Sequence, residues 1–509
     1  MKKILKLSIL LISCYSIAQP TIAWQKCLGG TLVDYAYASQ QTSDGGYIIT
    51  GYVGSNDGDV SGNHSSSTDA WVVKLSSLGV IQWQRCLGGL SQDDGRSIKQ
   101  TADGGYVLAG HTLSVDGDVS GNNGGQDIWI VKLSSLGVIE WQKCFGGNNS
   151  DNLAFISQTT DGGYIFTGFT ASNNGDVSGN HGSGDVWVVK LSSLGVIQWQ
   201  KCLGGSLIEN YSFIQATSDG GYILCCESKS NDGNVSGNHG GKDAWVVKLS
   251  SLGVIEWQKS IGGFLDDSGR YIQQTTDGGY VLAGYTFSDN GDVSGNHGGN
   301  DVWAVKLSAL GLIQWQKCIG GSGDEYGFAI DQTTDGGYVL TGYTMSNDGD
   351  VSGNHGGNDA WVVKLSAQGL IQWQKCLGGS GSEYGFAIDQ TTDGGYILSG
   401  GTSSNDGDVS GNYGANDAWV VKLSSVLGMD ESLFNNLVSL FPNPVSNILN
   451  VNVNDNMVDQ KYTITDILGK LIVEGKLNEN SSSINVENLS KGVYFIKVAE
   501  NKAIKFIKK

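Results

Sequence analysis

Apolar and polar positions along this chain follow two superimposed rhythms. Over short stretches, apolar side chains alternate with small or polar ones, the period of a β-strand. In residues 325–379 four such runs appear: Phe328 to Thr333, Tyr338 to Thr344, Ala360 to Leu365 and Leu370 to Leu377. Thr334-Asp335-Gly336-Gly337 joins the first two, its glycines supplying the positive φ angles of a tight hairpin. Ser366-Ala367-Gln368-Gly369 joins the last two, so each unit reads as a four-stranded antiparallel meander.

Over longer stretches the whole unit recurs. Trp24, Trp83, Trp141, Trp199, Trp257, Trp315 and Trp373 mark one position, and Trp71, Trp129, Trp187, Trp245, Trp303, Trp361 and Trp419 another, at a spacing of 58 residues with a single 59. A sheet of this kind is apolar on both faces and has no second layer of its own, so it must stack on its neighbours. The ends of the array decide between a ring and an open solenoid. Ile22-Ala23-Trp24-Gln25-Lys26-Cys27 is a fourth strand without predecessors, and Ala418-Trp419-Val420-Val421-Lys422-Leu423 is a third strand without a successor. The two fragments complete one unit, which predicts an all-β, seven-bladed propeller closed by the N-terminal strand over residues 19–426.

The unit Asp359 to Leu365, Gly369 to Trp373, Leu377-Gly378-Gly379, Ala387-Ile388-Asp389 and Tyr396 to Gly400 resembles the seven-bladed β-propeller repeat family of bacterial surface proteins. That resemblance implies the fold and no particular activity.

Beyond residue 426 the period stops. Residues 427–437 read as a linker, and 438–509 as a small β-sandwich with strands Ile448 to Val453, Lys461 to Asp466, Lys470 to Gly475, Ser483 to Val486 and Gly492 to Val498. Phe441-Pro442-Asn443-Pro444, Asp466-Ile467-Leu468-Gly469-Lys470, Gly492-Val493-Tyr494-Phe495 and the basic tail Lys505 to Lys509 closely resemble the type A C-terminal sorting domain of the Bacteroidetes type IX secretion system. The resemblance implies the secretion machinery as a partner and an extracellular or outer-surface location. It also singles out Pro442, Asn443, Pro444, Asp466, Gly469, Gly492 and Tyr494 as the sorting motif. At the other end, Lys2, Lys3 and Lys6 precede an apolar run and Ser16-Ile17-Ala18, the layout of a secretory signal over residues 1–18. Leu11-Ile12-Ser13-Cys14 also resembles a lipoprotein cleavage box.

Composition fits this reading: 77 Gly and 14 Trp against 3 Pro describe tight turns between aromatic-rich strands. The formal charge of −19 belongs to the repeat region, since residues 1–19 are basic and 438–509 hold nine Lys against seven acids. Such a surface repels nucleic acid and anionic lipid, and no segment reaches transmembrane length. Six of the nine cysteines (Cys27, Cys86, Cys144, Cys202, Cys318, Cys376) share one repeat position, too far apart to bridge, and read as buried thiols, as does the pair Cys225-Cys226.

Two acidic rings are expected on the loop-bearing rim. The inter-blade connections contribute Asp34, Asp93, Asp151, Glu209, Asp267, Glu325 and Glu383 as ligand-binding candidates, and the third-strand entries add Asp69, Asp127, Asp185, Asp243, Asp301, Asp359 and Asp417. No cofactor is required, but calcium, which takes oxygen ligands on Gly-rich loops, is a candidate at Asp57/Asp59, Asp116/Asp118, Asp348/Asp350 and Asp406/Asp408. The loop histidines His64, His181, His239, His297 and His355 are read as loop packing, and the third-strand lysines as locally paired. Catalysis needs groups in unequal environments, and sevenfold repetition makes them equal. The irregular positions, Arg96, His111, Glu227, Lys242, Asp266-Asp267 and Arg270, form no recognisable nucleophile–base, zinc or phosphate motif. The sequence therefore predicts a non-enzymatic, monomeric binding or adhesion module for a glycan or surface protein. A passive surface component and a polysaccharide hydrolase or lyase are the alternatives.

Overall fold

The computed structural model describes residues 19–425, 438–441, 444–453, 458, 460–466, 470–498 and 503–509, in two units divided after Val426. The expected signal peptide with Cys14, and the linker 427–437, lie outside the described residues. Every regular element among the described residues is a strand.

The first unit is built from seven four-stranded antiparallel sheets. Blade 1 takes Asp34–Gln41, Tyr47–Val53, Asp69–Leu75 and Ile81–Leu87 in that order. Blades 2 to 6 repeat it with first strands opening at Asp93, Asp151, Glu209, Asp267 and Glu325. Blade 7 has Glu383–Gln390, Tyr396–Thr402 and Asp417–Leu423, and its fourth strand is Ile22–Leu28 from the other end of the array. That strand pairs Cys27 with Trp419 and Leu28 with Ala418. First strands pack side by side from each blade to the next, and the first strand of blade 7 packs on that of blade 1.

The stacking follows from the two-faced apolar sheets. All seven third-strand tryptophans are at most 1% exposed, each such ring removing about 150–250 Å² from water, roughly 4–6 kcal/mol. Their indole N–H groups need partners at that depth, and a fourth-strand glutamine supplies one: Trp71 donates to Gln84 at 2.8 Å and Trp129 to Gln142 at 2.8 Å. The outer tryptophans work between blades. Trp24 meets Tyr47 of the next blade edge-on at 5.7 Å, and Gly79, at φ +74°, lies so close that a Cβ would be 3.0 Å from the Trp24 ring. Glycine is needed there both for the turn and for the contact.

First strands begin three residues earlier than the alternation predicts, at the acidic residue itself. Each also contains a β-bulge, for example between Ala36 and Ala38, which leaves Tyr37 outside the ladder.

The second unit has a three-stranded sheet (Val438–Phe441, Ile448–Val453, Ser481–Asn485) and a four-stranded one (Leu471–Lys476, Lys461–Asp466, Gly492–Val498, Ala503–Lys508). Leu449, Val451, Ile464, Ile484, Ile496 and Phe506 belong to one shared core. The basic tail is itself a strand, pairing Tyr494 with Phe506. Its lysines mask in the sequence an alternation that buries Phe506.

Candidate functional site

The acidic rings are interior. Asp34, Asp93, Asp151, Glu209, Asp267, Glu325 and Glu383 are each 0% exposed, which corrects their reading as ligand-facing. Gly30 N–H and the Ser55 hydroxyl donate to Asp34 Oδ2 at 2.8 and 2.7 Å, and the Gly54 and Ser55 N–H groups donate to Oδ1. Glu383 is held alike by Gly379, Thr402 and Ser404. These carboxylates tie the inter-blade connection to the long loop of their own blade, and the side chain is used up in doing so.

The third-strand aspartates are equally buried, and in Asp69, Asp127, Asp185, Asp243, Asp301 and Asp417 one oxygen, Oδ1, accepts no hydrogen bond. That oxygen lies beside the next blade's carboxylate: a Cβ on Gly146 would be 2.5 Å from Asp127 Oδ1 and 2.7 Å from Asp151 Oδ2. Burial, reinforced by Asp151 and Asp176, pushes Asp127 up to about 7. In five blades the other oxygen of this aspartate takes a histidine ring nitrogen, as at His64–Asp69 and His297–Asp301, both 2.6 Å.

The calcium candidates are clamps between loops. Thr31 N–H and hydroxyl donate to Asp57 at 2.8 and 2.9 Å, and Asp59 N–H donates to the Gly29 carbonyl. Asp116, Asp348 and Asp406 accept the backbone N–H of Leu90, Ser322 and Ser380, while Asp118, Asp350 and Asp408 donate backbone N–H to the carbonyls of Gly88, Gly320 and Gly378. Among the described residues, no three His, Cys, Asp or Glu side chains come together so as to hold a metal ion. The third-strand lysines pair with the first hairpin's aspartate, as Lys190 does with Asp161 at 2.9 Å. The eight described cysteines are buried free thiols, and burial pushes Cys86 up to about 12.

The bulge recurs in every blade, but the residue it carries changes. The residues skipped by the ladder are Tyr37, Arg96, Leu153 with Ala154, Tyr211 with Ser212, Arg270, Phe328 and Phe386. A bulge re-aims its side chain, and one bulge residue from every blade lines a cavity of about 210 Å³ between the first strands. Where two residues are skipped, Leu153 and Tyr211 take left-handed backbone, φ 56° and 55°, a conformation costly for side chains of this size and concentrated at functional sites.

Around this channel an aromatic crescent spans four blades. It runs from Tyr37 and Tyr35 through Phe386 (5.2 and 6.1 Å) and Tyr384 to Tyr343 (5.1 Å), then by Tyr326 to Tyr285 (4.6 Å). An arginine closes each end: Arg96 lies 4.0 Å over the Tyr37 ring, and Arg270 lies 3.6 Å over Tyr211 and 5.2 Å over Tyr285. Each arginine has its own carboxylate, Asp94 at 2.8 Å and Glu227 at 2.8 Å. His111 completes the first group, 3.5 Å from Asp94, with burial pushing it down to about 4 and hence neutral. Lys242 completes the second, 3.0 Å from Glu227, whose charge holds the ammonium above its ordinary pKa against the cost of burial. Asp94 Oδ1, Arg96 Nε, His111 Nδ1 and Arg270 Nε are buried without partners, the kind of orphaned polar atom that calls for an explanation in water or ligand. The structure thus gathers the irregular residues of the sequence into two groups at opposite ends of one aromatic surface.

Of the sorting motif, Pro442, Asn443 and Gly469 lie outside the described residues. Pro444 and Gly492 are exposed, Asp466 Oδ1 accepts the Lys470 N–H at 3.0 Å, and the buried Tyr494 donates its hydroxyl to the Ser490 carbonyl at 3.0 Å.

Fold and site together define an all-β propeller of seven similar blades with an asymmetric aromatic surface beside the cavity between its first strands, followed in the chain by a small β-domain. Residues 439–509 match the family described as secretion system C-terminal sorting domain. The protein is accordingly exported to the cell surface or extracellular space. No curated protein matches the sequence. Among solved structures, the chain is similar to PorZ, described as an essential surface component of the type IX secretion system of Porphyromonas gingivalis (11% identity, 96% of this chain and 61% of that one, TM-score 0.40). It is also similar to a protein of unknown function from Bacteroides caccae (12%, 60% and 89%, 0.35) and to the Pan2 WD40 domain of Neurospora crassa (9%, 79% and 95%, 0.42). The chain spans about 61% of the length of PorZ. No helix among the described residues is long and apolar enough to cross a membrane.

Proposed function

We propose that the exported propeller is a binding module that takes a glycan on the aromatic crescent around its channel, rather than on an acidic rim. The observation that carries this reading is the gathering of one bulge residue from each of the seven first strands, Tyr, Arg, Leu, Tyr, Arg, Phe and Phe, around one cavity beside the aromatic crescent. Flat aromatic faces match the C–H face of a sugar ring, and positioned polar groups at the edges fix orientation. The arginines at the two ends of the crescent are already paired with carboxylates, and the acidic chain disfavours polyanions.

A glycan array probed with the mature protein tests this, followed by calorimetry on the best ligand with Tyr343→Ala. Binding weakened about tenfold or more, as the loss of a central aromatic contact implies, at an unchanged melting temperature supports the proposal. A folded protein that binds no carbohydrate, or only protein ligands, overturns it, as does a Tyr343→Ala protein with native affinity.

A further inference from the structure

We infer that the cavity at the Arg270 end of the crescent is a subsite for an uncharged, hydroxyl-rich ring, the end unit of the bound chain; this rests on the glycan reading above. The cavity measures about 440 Å³ and is lined by Glu227, Lys242, Asp266, Ser268, Tyr285 and Asn300 among others. That volume falls in the range of about 300–1,000 Å³ typical of small-ligand sites. Tyr285 and Tyr326 belong to its wall and to the crescent, so a chain lying on the aromatic track reaches it. Phe264 and Phe287, 69% and 46% exposed, add apolar surface to the same wall.

The pocket exists because blade 4 departs from the repeat. At the second-strand position where the other blades carry Tyr52, His111, Phe169, Tyr285, Tyr343 and Gly401, blade 4 has Glu227. Its carboxylate is 3% exposed and is shared by Lys242 (3.0 Å), Ser268 (2.6 Å), Arg270 (2.8 Å) and Tyr285 (3.3 Å). Asp266 accepts the Lys242 backbone N–H at 2.9 Å. Of the three carboxylates in the wall, Asp267 is engaged inside the fold by the Gly263 N–H and the Thr286 and Ser288 hydroxyls. Glu227 faces the cations Lys242 and Arg270 and Asp266 holds the Lys242 backbone, so donors and acceptors alternate along the wall. An anion only accepts and an ammonium only donates, so each meets wrongly signed neighbours. A hydroxyl does both and suits alternating partners. A buried polar site of this kind discriminates strongly against a group it cannot hydrogen-bond.

The test uses the full exported chain and sets of oligosaccharides identical except for the end unit: a neutral hexose, its uronate and its 2-amino counterpart. The neutral form is expected to bind at least about tenfold more tightly than both others. Asn300→Ala and Phe287→Ala, at half-buried and exposed positions, are expected to cut that preference to about threefold or less while leaving folding intact. Binding without end-unit preference, or a preference untouched by both variants, overturns the pocket assignment and leaves the crescent reading standing. Failure of wild type to bind any member of the sets overturns the crescent reading itself.

Discussion

Gln25 accepts the indole N–H of Trp419 at 2.9 Å, across 394 residues of sequence. In each other blade the same bond joins two residues thirteen apart, such as Trp187 and Gln200 at 2.8 Å. The strand that completes the last blade therefore makes the contact its position requires. Gln25 also reaches Ser410 in that blade's long loop, as Gln84 reaches Ser61 in blade 1.

Gln25→Ala and Gln142→Ala should consequently cost the same, each leaving a buried indole N–H unpaired at about 1–3 kcal/mol. Denaturant unfolding measures both. Removing Ile22–Leu28 is expected to lower the melting temperature far more, because it leaves blade 7 with three strands. A harmless Gln25→Ala beside a damaging Gln142→Ala would contradict the pairing.

Asp34 serves the fold, and its replacement should show this. Asp34→Ala strands the Gly30 N–H and the N–H and hydroxyl of Ser55 in the interior, at a cost of several kcal/mol. The expected outcome is a large fall in stability with ligand affinity per folded molecule unchanged. Weaker affinity at native stability would return the carboxylate to a ligand role.

The carboxylate pairs at the blade seams make stability depend on pH. Asp127 is raised by burial from 3.8 to about 7, so the folded state holds a proton that the unfolded chain releases near pH 4. Its contribution to stability is fully present below about pH 4 and is lost as pH rises through about 7. The wild-type melting temperature should therefore fall between pH 5 and pH 8 more steeply than that of Asp127→Asn, whose amide keeps a donor against Asp151 at every pH. Parallel profiles would show that Asp127 carries no such proton.

Asp57 and its counterparts already hold backbone N–H groups, so chelators should leave the melting temperature where it is. A fall on chelation, reversed by calcium, would show that these turns bind the ion after all.

The architecture was legible because its determinants are periodic. Trp71 and its six counterparts, the Asp-Gly-Gly hairpins, and the split unit at Trp24 and Trp419 each state their role through spacing. The site was not legible for the complementary reason. Alternation assigns Glu325 to a loop, and only the bulge at Phe328 lets strand pairing begin three residues earlier and bury that carboxylate. An acid, Asp or Glu, at the same position of seven blades looked like a binding ring, whereas an identical buried task recurring at each seam produces the same pattern. The informative signal was the reverse one: positions that differ among blades otherwise alike. Arg96, His111, Glu227, Lys242 and Arg270 stood out in this way, but their aromatic partners Tyr35, Tyr326, Tyr343 and Tyr384 are dispersed over strands whose inward faces only the register assigns.

The most direct test of where this protein binds is the footprint of its best oligosaccharide in hydrogen–deuterium exchange. Binding on the crescent predicts protection in the first strands around Tyr37, Arg96, Tyr211, Arg270, Phe328 and Phe386, with the long loops away from the Arg270-end pocket, such as residues 54–68, unchanged. Protection confined to those loops, with the bulged strands exchanging as before, would contradict it.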